Sequence, residues 1–325
     1  MRINQLGEQG LIRIIQRQVH SRGNLQLGIG DDALILKDGS TVLTTDTYAE
    51  GVHFDLSYMS YYDVGTRCAC AALSDVVAMG GEPKVLLVGL AVHPETDLRA
   101  IRQLYQGLER ICKEMGCEIG GGDIIALDRL VIALTALGKA AVPVLRSGAQ
   151  PGDYLYLTGY AGLAETGRLI LAGRARLPAY TAGIRLAVQR HLRPVPRLEV
   201  MRALGRRISA LIDTSDGLGT DARQLSVQSG AAIVIESEQI PVHPVTAKLC
   251  EQLRKDRVKF ALSSGEDYEL LLTSRNLLPS RVKGVKITKI GRVENGKGLF
   301  ILIKRGELVP LDITGYDHLT TKMCE

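Results

Sequence analysis

A chain of 325 residues exceeds what one hydrophobic core usually organises, so two domains of about 150 residues each are expected. Hydrophobic residues at 46% and charged residues at 23% are ordinary for a globular protein, while a net charge of only +5, 4% aromatics and no Trp argue against nucleic-acid binding. The longest apolar run, Val85 to Val92, is too short to span a membrane; Glu8, Arg13 and Arg17 exclude a signal peptide; and the six cysteines contain no CxxC pair, so a cytoplasmic protein with reduced thiols is expected.

Leu11, Ile12, Ile15 and Val19 recur at helical spacing and predict a short amphipathic helix. Thr41 to Asp46 reads as a strand. The alanine-rich stretch from Asp63 to Met79 reads as a helix stopped by Gly80-Gly81 and Pro83. Val85 to Val92 is a buried strand by length and β-branching. Ile101, Leu104, Leu108, Ile111 and Met115 make the clearest amphipathic helix, with Gly116 beyond its end. Leu130 to Leu137 is another apolar strand. The turn-rich run Arg146 to Asp153 marks a boundary, giving domains 1–145 and 146–325. Beyond it, strands are predicted at Tyr154–Thr158, Ala231–Glu236, Tyr268–Thr273, Val285–Ile290 and Leu299–Ile303, and helices at Gly162–Leu171, Arg197–Ser209 and Gly219–Ser229. Mixed elements in both halves predict two α/β or α+β domains.

Chemical signal concentrates where acidic residues adjoin glycine: Gly28-Ile29-Gly30-Asp31-Asp32, Thr44-Thr45-Asp46, Ser74-Asp75, Gly120-Gly121-Gly122-Asp123, Asp213-Thr214-Ser215-Asp216-Gly217 and Gly265-Glu266-Asp267. Carboxylates are the hard oxygen donors that magnesium takes, usually together with waters and substrate phosphates. Glycine beside them lets backbone N–H groups approach phosphate oxygens. Any one such cluster is ordinary turn chemistry. Asp75 is harder to read that way, because it interrupts an apolar helix where an unpaired carboxylate is costly. There is no GxxxxGK[ST] and no HRD/DFG set, so neither a P-loop enzyme nor a protein kinase is indicated.

Taken in order from Gly28 to Tyr316, GIGDDA, TTDTYAEGVHF, ALSDVVAMGGEP, GGD, RSGAQPGDYLYLTG, DTSDGL, SGEDYEL and GYDHL resemble the thiamine-monophosphate kinase family. The resemblance implies the two-domain fold shared with aminoimidazole ribonucleotide synthetase. In that fold an N-terminal α/β domain forms a homodimer, a C-terminal α+β domain packs beside it, and ATP lies in the cleft. It implies phosphorylation of thiamine monophosphate by ATP with several Mg²⁺ ions. By motif, Asp32, Asp46, Asp75, Asp123 and Asp213 would hold magnesium with Thr44 and Thr45, and Asp216 a more peripheral ion. Tyr105, Gly122, Arg146 and Ser215 would contact ATP. His53, Glu266 and Tyr316 would contact the thiamine substrate. Asp46, Asp123 and Arg146 would carry the chemistry.

Ile124 stands where the family commonly has Thr, Thr214 replaces an apolar residue, and Ser263-Ser264 replace glycine. Other superfamily enzymes are the nearest rivals. A carbamoyl dehydratase of hydrogenase maturation uses a C-terminal cysteine, but Cys324 follows Thr321-Lys322-Met323 and not Pro-Arg-Ile. A nucleotide-binding regulator without turnover is the rival from another class; it would not need so many metal ligands.

Overall fold

The computed structural model describes residues 3–5, 7–20, 22–175, 181–302, 306–312, 315–316 and 318–319. The expectations that concern Ile303 and Cys324 therefore lie outside the described residues. In the first half the elements are α1 (Gly7–Gln18), β1 (Leu25–Leu27), β2 (Leu34–Leu36), β3 (Thr41–Ala49), α2 (Tyr61–Ala78), β4 (Glu82–Val92), α3 (Leu98–Met115), β5 (Glu118–Ala126) and β6 (Val131–Lys139). The strands form a six-stranded sheet in the order β1-β2-β3-β6-β4-β5. Alternate positions along β3, β6 and β4, among them Val42, Leu134 and Val88, are buried, because successive strand residues alternate between faces.

Helix α2 covers that buried face. It starts in a capping box between Ser60 and Asp63. It meets α3 backbone to backbone: a Cβ on Gly65 would lie 2.1 Å from the Leu104 carbonyl, and one on Gly107 2.2 Å from that of Tyr62. Only glycine permits this approach. Helix α3 ends at Gly116 in the left-handed conformation, where Cys117 N donates to Cys112 O at 2.8 Å.

The second half contains β7 (Tyr154–Thr158), α4 (Leu163–Leu171), α5 (Ala182–Leu192), α6 (Leu198–Leu204), β8 (Ala210–Asp213), α7 (Leu218–Ser229), β9 (Ala232–Glu236), α8 (Pro244–Gln252), α9 (Arg257–Ser263), β10 (Leu270–Ser274), β11 (Arg281–Val282), β12 (Val285–Glu294), β13 (Gly298–Leu302) and β14 (Leu308–Pro310). They build an eight-stranded sheet, β14-β13-β9-β12-β7-β10-β8, with β11 on β12. One apolar core runs from α2 and the first sheet into β8 and β10, through Leu73, Leu211, Leu270 and Leu272. Helix α2 is thus shared between the halves, with its apolar sides turned both ways.

Several expectations change. The strand read from Val85 begins earlier, at Glu82, and lies inside the sheet as β4 between β6 and β5, with β5 at the edge. Pro83, expected to stop a helix, lies inside β4. Asp46 and Asp123 sit within strands and not at their ends, because β3 continues to Ala49 and β5 to Ala126. The helix expected over Arg197–Ser209 ends at Leu204, and strand β10 begins at Leu270 instead of Tyr268. Both Glu266 and Tyr268 have positive φ, 64° and 49°, which breaks the strand pattern before Leu270. Helices α5, α8 and α9 and strand β8 had no clear periodic signal.

Candidate active site

Four chain segments deliver carboxylates to one place. Asp32 precedes β2, Asp46 is on β3, Asp75 is in the last turn of α2, and Asp213 is the last residue of β8. Carboxylate oxygens of Asp32, Asp75 and Asp213 all lie within 4.8 Å of one another. Two hydroxyls orient the group. Thr44 Oγ1 donates to Asp75 Oδ2 at 2.8 Å, and Ser74 Oγ donates to Asp213 Oδ2 at 2.5 Å. Asp46 stands beside them, accepting from the Tyr48 hydroxyl at 2.8 Å.

Arg146 closes one side. Its Nε donates to Asp32 Oδ2 at 3.1 Å, its Nη2 to Asp32 Oδ1, and its backbone N to Asp31 Oδ2 at 3.2 Å. One guanidinium does not offset this much negative charge. Burial, reinforced by Asp46, Asp213 and Asp32, holds the Asp75 carboxyl well above the usual range. Burial and then Asp32 push Asp213 up to about 7, against the opposing pull of Ser74 and Arg146. Burial and Asp32 raise Asp31 to about 6. Buried like charges without counter-ions are costly unless a cation joins them. The donors are carboxylates and hydroxyls, the hard oxygen set that suits magnesium. The residues present therefore fit the metal that the resemblance implies.

A second group forms beside the first. Glu266 pairs with Arg67 of α2. The His53 ring faces that of His318 at 5.0 Å, and Tyr316 meets His318 edge-on at 4.7 Å. The loop carrying Glu266 is tied to the one carrying Ser215, since Glu266 N donates to Ser215 O at 2.7 Å. In turn, Tyr316 N donates to Asp216 O at 3.2 Å. The three residues expected to contact substrate are thus brought to one side of the molecule.

Other expected residues are not brought to the acidic cluster. Thr45 lies on the opposite face of β3 from Thr44 and Asp46, and its hydroxyl meets Thr135 Oγ1 at 3.1 Å. The register Asp46↔Leu134, Leu134↔Val88, Val88↔Gly122 places Gly122 on the face of Asp46, and so sets Asp123 on the other. Gly122 has a backbone reason of its own: a Cβ there would lie 1.8 Å from the Val88 carbonyl. Tyr105 is half-buried on α3 and packs against the main core, with Arg102, Gln106, Glu109 and Ile119 around it. Asp216 is partly buried beyond Asp213, outside the three-carboxylate group.

The neighbouring acids of SGEDYEL are structural. Asp267 caps α4, accepting from Gly162 N at 2.6 Å and Ala164 N at 2.8 Å. Glu269 is buried against Arg197. Thr214, one departure from the family pattern, is satisfied: Glu269 N donates to its Oγ1 at 3.1 Å. Tyr48 and Arg67 were not singled out in the sequence, and Asp31, Ser74 and His318 stood in its motifs without an assigned role. Arg67 carried a readable signal, since like Asp75 it puts a charge into an otherwise apolar helix.

The family profile described as AIR synthase related protein, N-terminal domain, matches residues 30–140. Thiamine-monophosphate kinase of Aquifex aeolicus is 34% identical over 310 residues, covering 94% of this chain and 98% of that protein. The solved AaThiL complexed with AMPPCP and TMP superposes with a TM-score of 0.86 at 33% identity, over 98% of this chain and 99% of that one. Hydrogenase maturation protein HypE in complex with ATP shares the fold at a TM-score of 0.72 but only 19% identity, over 99% of this chain and 100% of that one. With the acidic cluster in place and the likeness running almost end to end, the chain belongs to the thiamine-monophosphate kinase family.

Proposed function

We propose that this chain transfers the terminal phosphoryl group of ATP directly onto thiamine monophosphate, giving thiamine diphosphate. The observation that carries this reading is the convergence of Asp32, Asp75 and Asp213 in a chain similar over nearly its whole length to thiamine-monophosphate kinases. The acceptor is a phosphate monoester whose second pKa is about 6, so its nucleophilic oxygen is mostly deprotonated at neutral pH. No general base is then needed, and none is required of His53. The obstacle is bringing two polyanions together in line. Magnesium held by Asp32, Asp75 and Asp213, with Asp46 and Thr44 adjacent, would supply charge neutralisation for the phosphates.

Arg146 contributes a guanidinium hydrogen-bonded to Asp32 and ion-paired with Asp31, and phosphate oxygens can exchange for those contacts. Glu266 faces the cationic thiazolium, with His53 and Tyr316 around the rings. Gly122 and Tyr105 serve the nucleotide from the β5–α3 side, Ser215 serves it from the turn after β8, Asp123 would hold magnesium from the other face of β5, and Asp216 holds a peripheral ion. Residues 1–145 and 146–325 act as two domains about the shared helix α2. The edge strand β5, with Ile124 66% and Ile125 56% exposed, supports a homodimer through the first sheet. No helix among the described residues is long and apolar enough to cross a membrane.

The test is a magnesium-dependent assay with thiamine monophosphate and ATP, reading product by chromatography. Formation of thiamine diphosphate, near-abolished by Asp46→Asn and by Asp123→Asn, is the expected result. Turnover close to wild type in either variant at saturating magnesium removes that residue from the site. Sedimentation at micromolar concentration tests the dimer, and a monomer refutes it.

A further inference from the structure

Arg67 lies in the first half of α2 among Ala, Cys and Val, yet its side chain is only 3% exposed. A guanidinium so buried must have its donors met. Its Nε donates to the His53 carbonyl at 3.3 Å and its Nη1 to the His191 carbonyl. Its Nη2 is in ion-pair contact with Glu266 but makes no aligned hydrogen bond. These partners come from three separate segments: the turn after β3, the end of α5, and the loop before β10.

The last of these is strained. Glu266 has φ 64° and Tyr268 φ 49°, the left-handed region that disfavours side chains other than glycine. Such a loop persists only when its surroundings over-determine it. The Glu266 N–H to Ser215 O and Tyr268 N–H to Thr214 O bonds, at 2.7 and 2.9 Å, fix its backbone. Arg67 fixes the Glu266 carboxylate. The same guanidinium holds the backbone of His53, whose ring faces His318, and of His191, whose Nε2 is 3.4 Å from the Tyr58 hydroxyl.

We propose that Arg67 is a positioning residue of the acceptor site, acting through Glu266 and His53. This rests on the reading of His53, Glu266 and Tyr316 as acceptor contacts. The acceptor carries a cationic ring and an anionic phosphate. A bare carboxylate would attract the first and repel the second. Glu266, 33% exposed, with Arg67 buried behind it, presents a dipole: it faces the ring with negative charge while the net field on the phosphate is close to neutral. Arg67 therefore sets both the place of the carboxylate and the tolerance for a phosphorylated substrate.

The experiment is steady-state kinetics on R67M, R67K, E266Q and the double variant R67M/E266Q, with both substrates varied. Lysine keeps the charge but loses the planar fork that reaches three acceptors at once. The KM for thiamine monophosphate is expected to rise about tenfold in R67M and severalfold in R67K, with the KM for ATP within about twofold of wild type. Because Arg67 acts through Glu266, the double variant should be no worse than the worse single one. A structural strap would instead lower thermal stability and shift both Michaelis constants together, and that result overturns the proposal. So does additivity in the double variant, or an unchanged acceptor KM in R67M. Where R67M does not fold, the acceptor KM of R67K decides in the same way. If E266Q alone leaves the acceptor KM unchanged, the acceptor reading itself fails; if E266Q moves it and Arg67 variants do not, only the role of Arg67 is lost.

Discussion

Two acidic regions meet α2 about two turns apart, one at Arg67 and one at Asp75, and they manage their charge in opposite ways. In the cluster of Asp32, Asp75 and Asp213, carboxylates face one another and, among the described residues, Arg146 opposes them. In the Glu266–Asp267–Glu269 region every acid has a protein partner: Arg67, the N-terminus of α4, and Arg197. The sequence cues were alike, an acid beside glycine or in an apolar run. The difference is whether the fold supplies the counter-charge. Where it does, the acid holds structure; where it does not, the acids form a group that could hold a metal ion.

The largest effect that tests this contrast is at Asp75. Asp75→Asn should lower kcat by about 10³-fold, as expected when a residue that organises transition-state charge is lost. The same change removes a repelled charge and should raise the melting temperature of the metal-free protein by several degrees. A fall in that temperature would show that the carboxylate is satisfied without metal. The paired region should respond the other way. Glu269→Gln leaves Arg197 buried and uncompensated, at a cost of about 3–5 kcal/mol. Chemical denaturation should read this as a lower midpoint at unchanged slope, with turnover of the folded fraction retained.

Magnesium itself sharpens the comparison. A cation that binds only the folded state at about 100 times its dissociation constant stabilises by about 2.7 kcal/mol. Thermal melts should show a rise of that order in the wild type and in Glu269→Gln, and none in Asp213→Asn. The smallest effect is at His53. Burial, then His318 and Arg67, hold its pKa down to about 4, against the favourable pull of Glu266 and the ordinary value of 6.5. The unfolded chain therefore takes the proton first. His53 should cost the fold no stability above pH 6.5, and stability should be lost as the pH falls from 6.5 towards 4. Its imidazole resonances should stay those of the neutral ring at pH 6; titration near 6.5 would place the ring in solvent instead.

Much of the architecture was readable because local periodicity carries it. The helix at Ile101–Met115 follows from a repeat of apolar residues that the fold then buries, and the one at Asp63–Met79 from its alanine-rich run and the glycines that end it. Helices α5, α8 and α9 escaped; α5 and α8 lack the alanine-rich run that marked α2, and α9 is a short helix of seven residues. Their stability comes from packing against one another and α4, a tertiary effect that propensity does not report.

The sequence by itself determined the residue types of the site: the aspartates, Arg146 and the glycines stand in an order that resembles one family. It could not determine which acids meet. That depended on register, because a one-residue step along a strand moves a side chain to the other face. Thr44 and Asp46 turn inward while Thr45 turns away, and the pairing across β6 and β4 parts Asp123 from Asp46. It depended also on α2 lying between the two sheets, which brings Asp75 to Asp213 and Arg67 to Glu266 across separations of more than a hundred residues. Coulomb interactions act over a few ångströms, and only the folded chain decides which charges come that close.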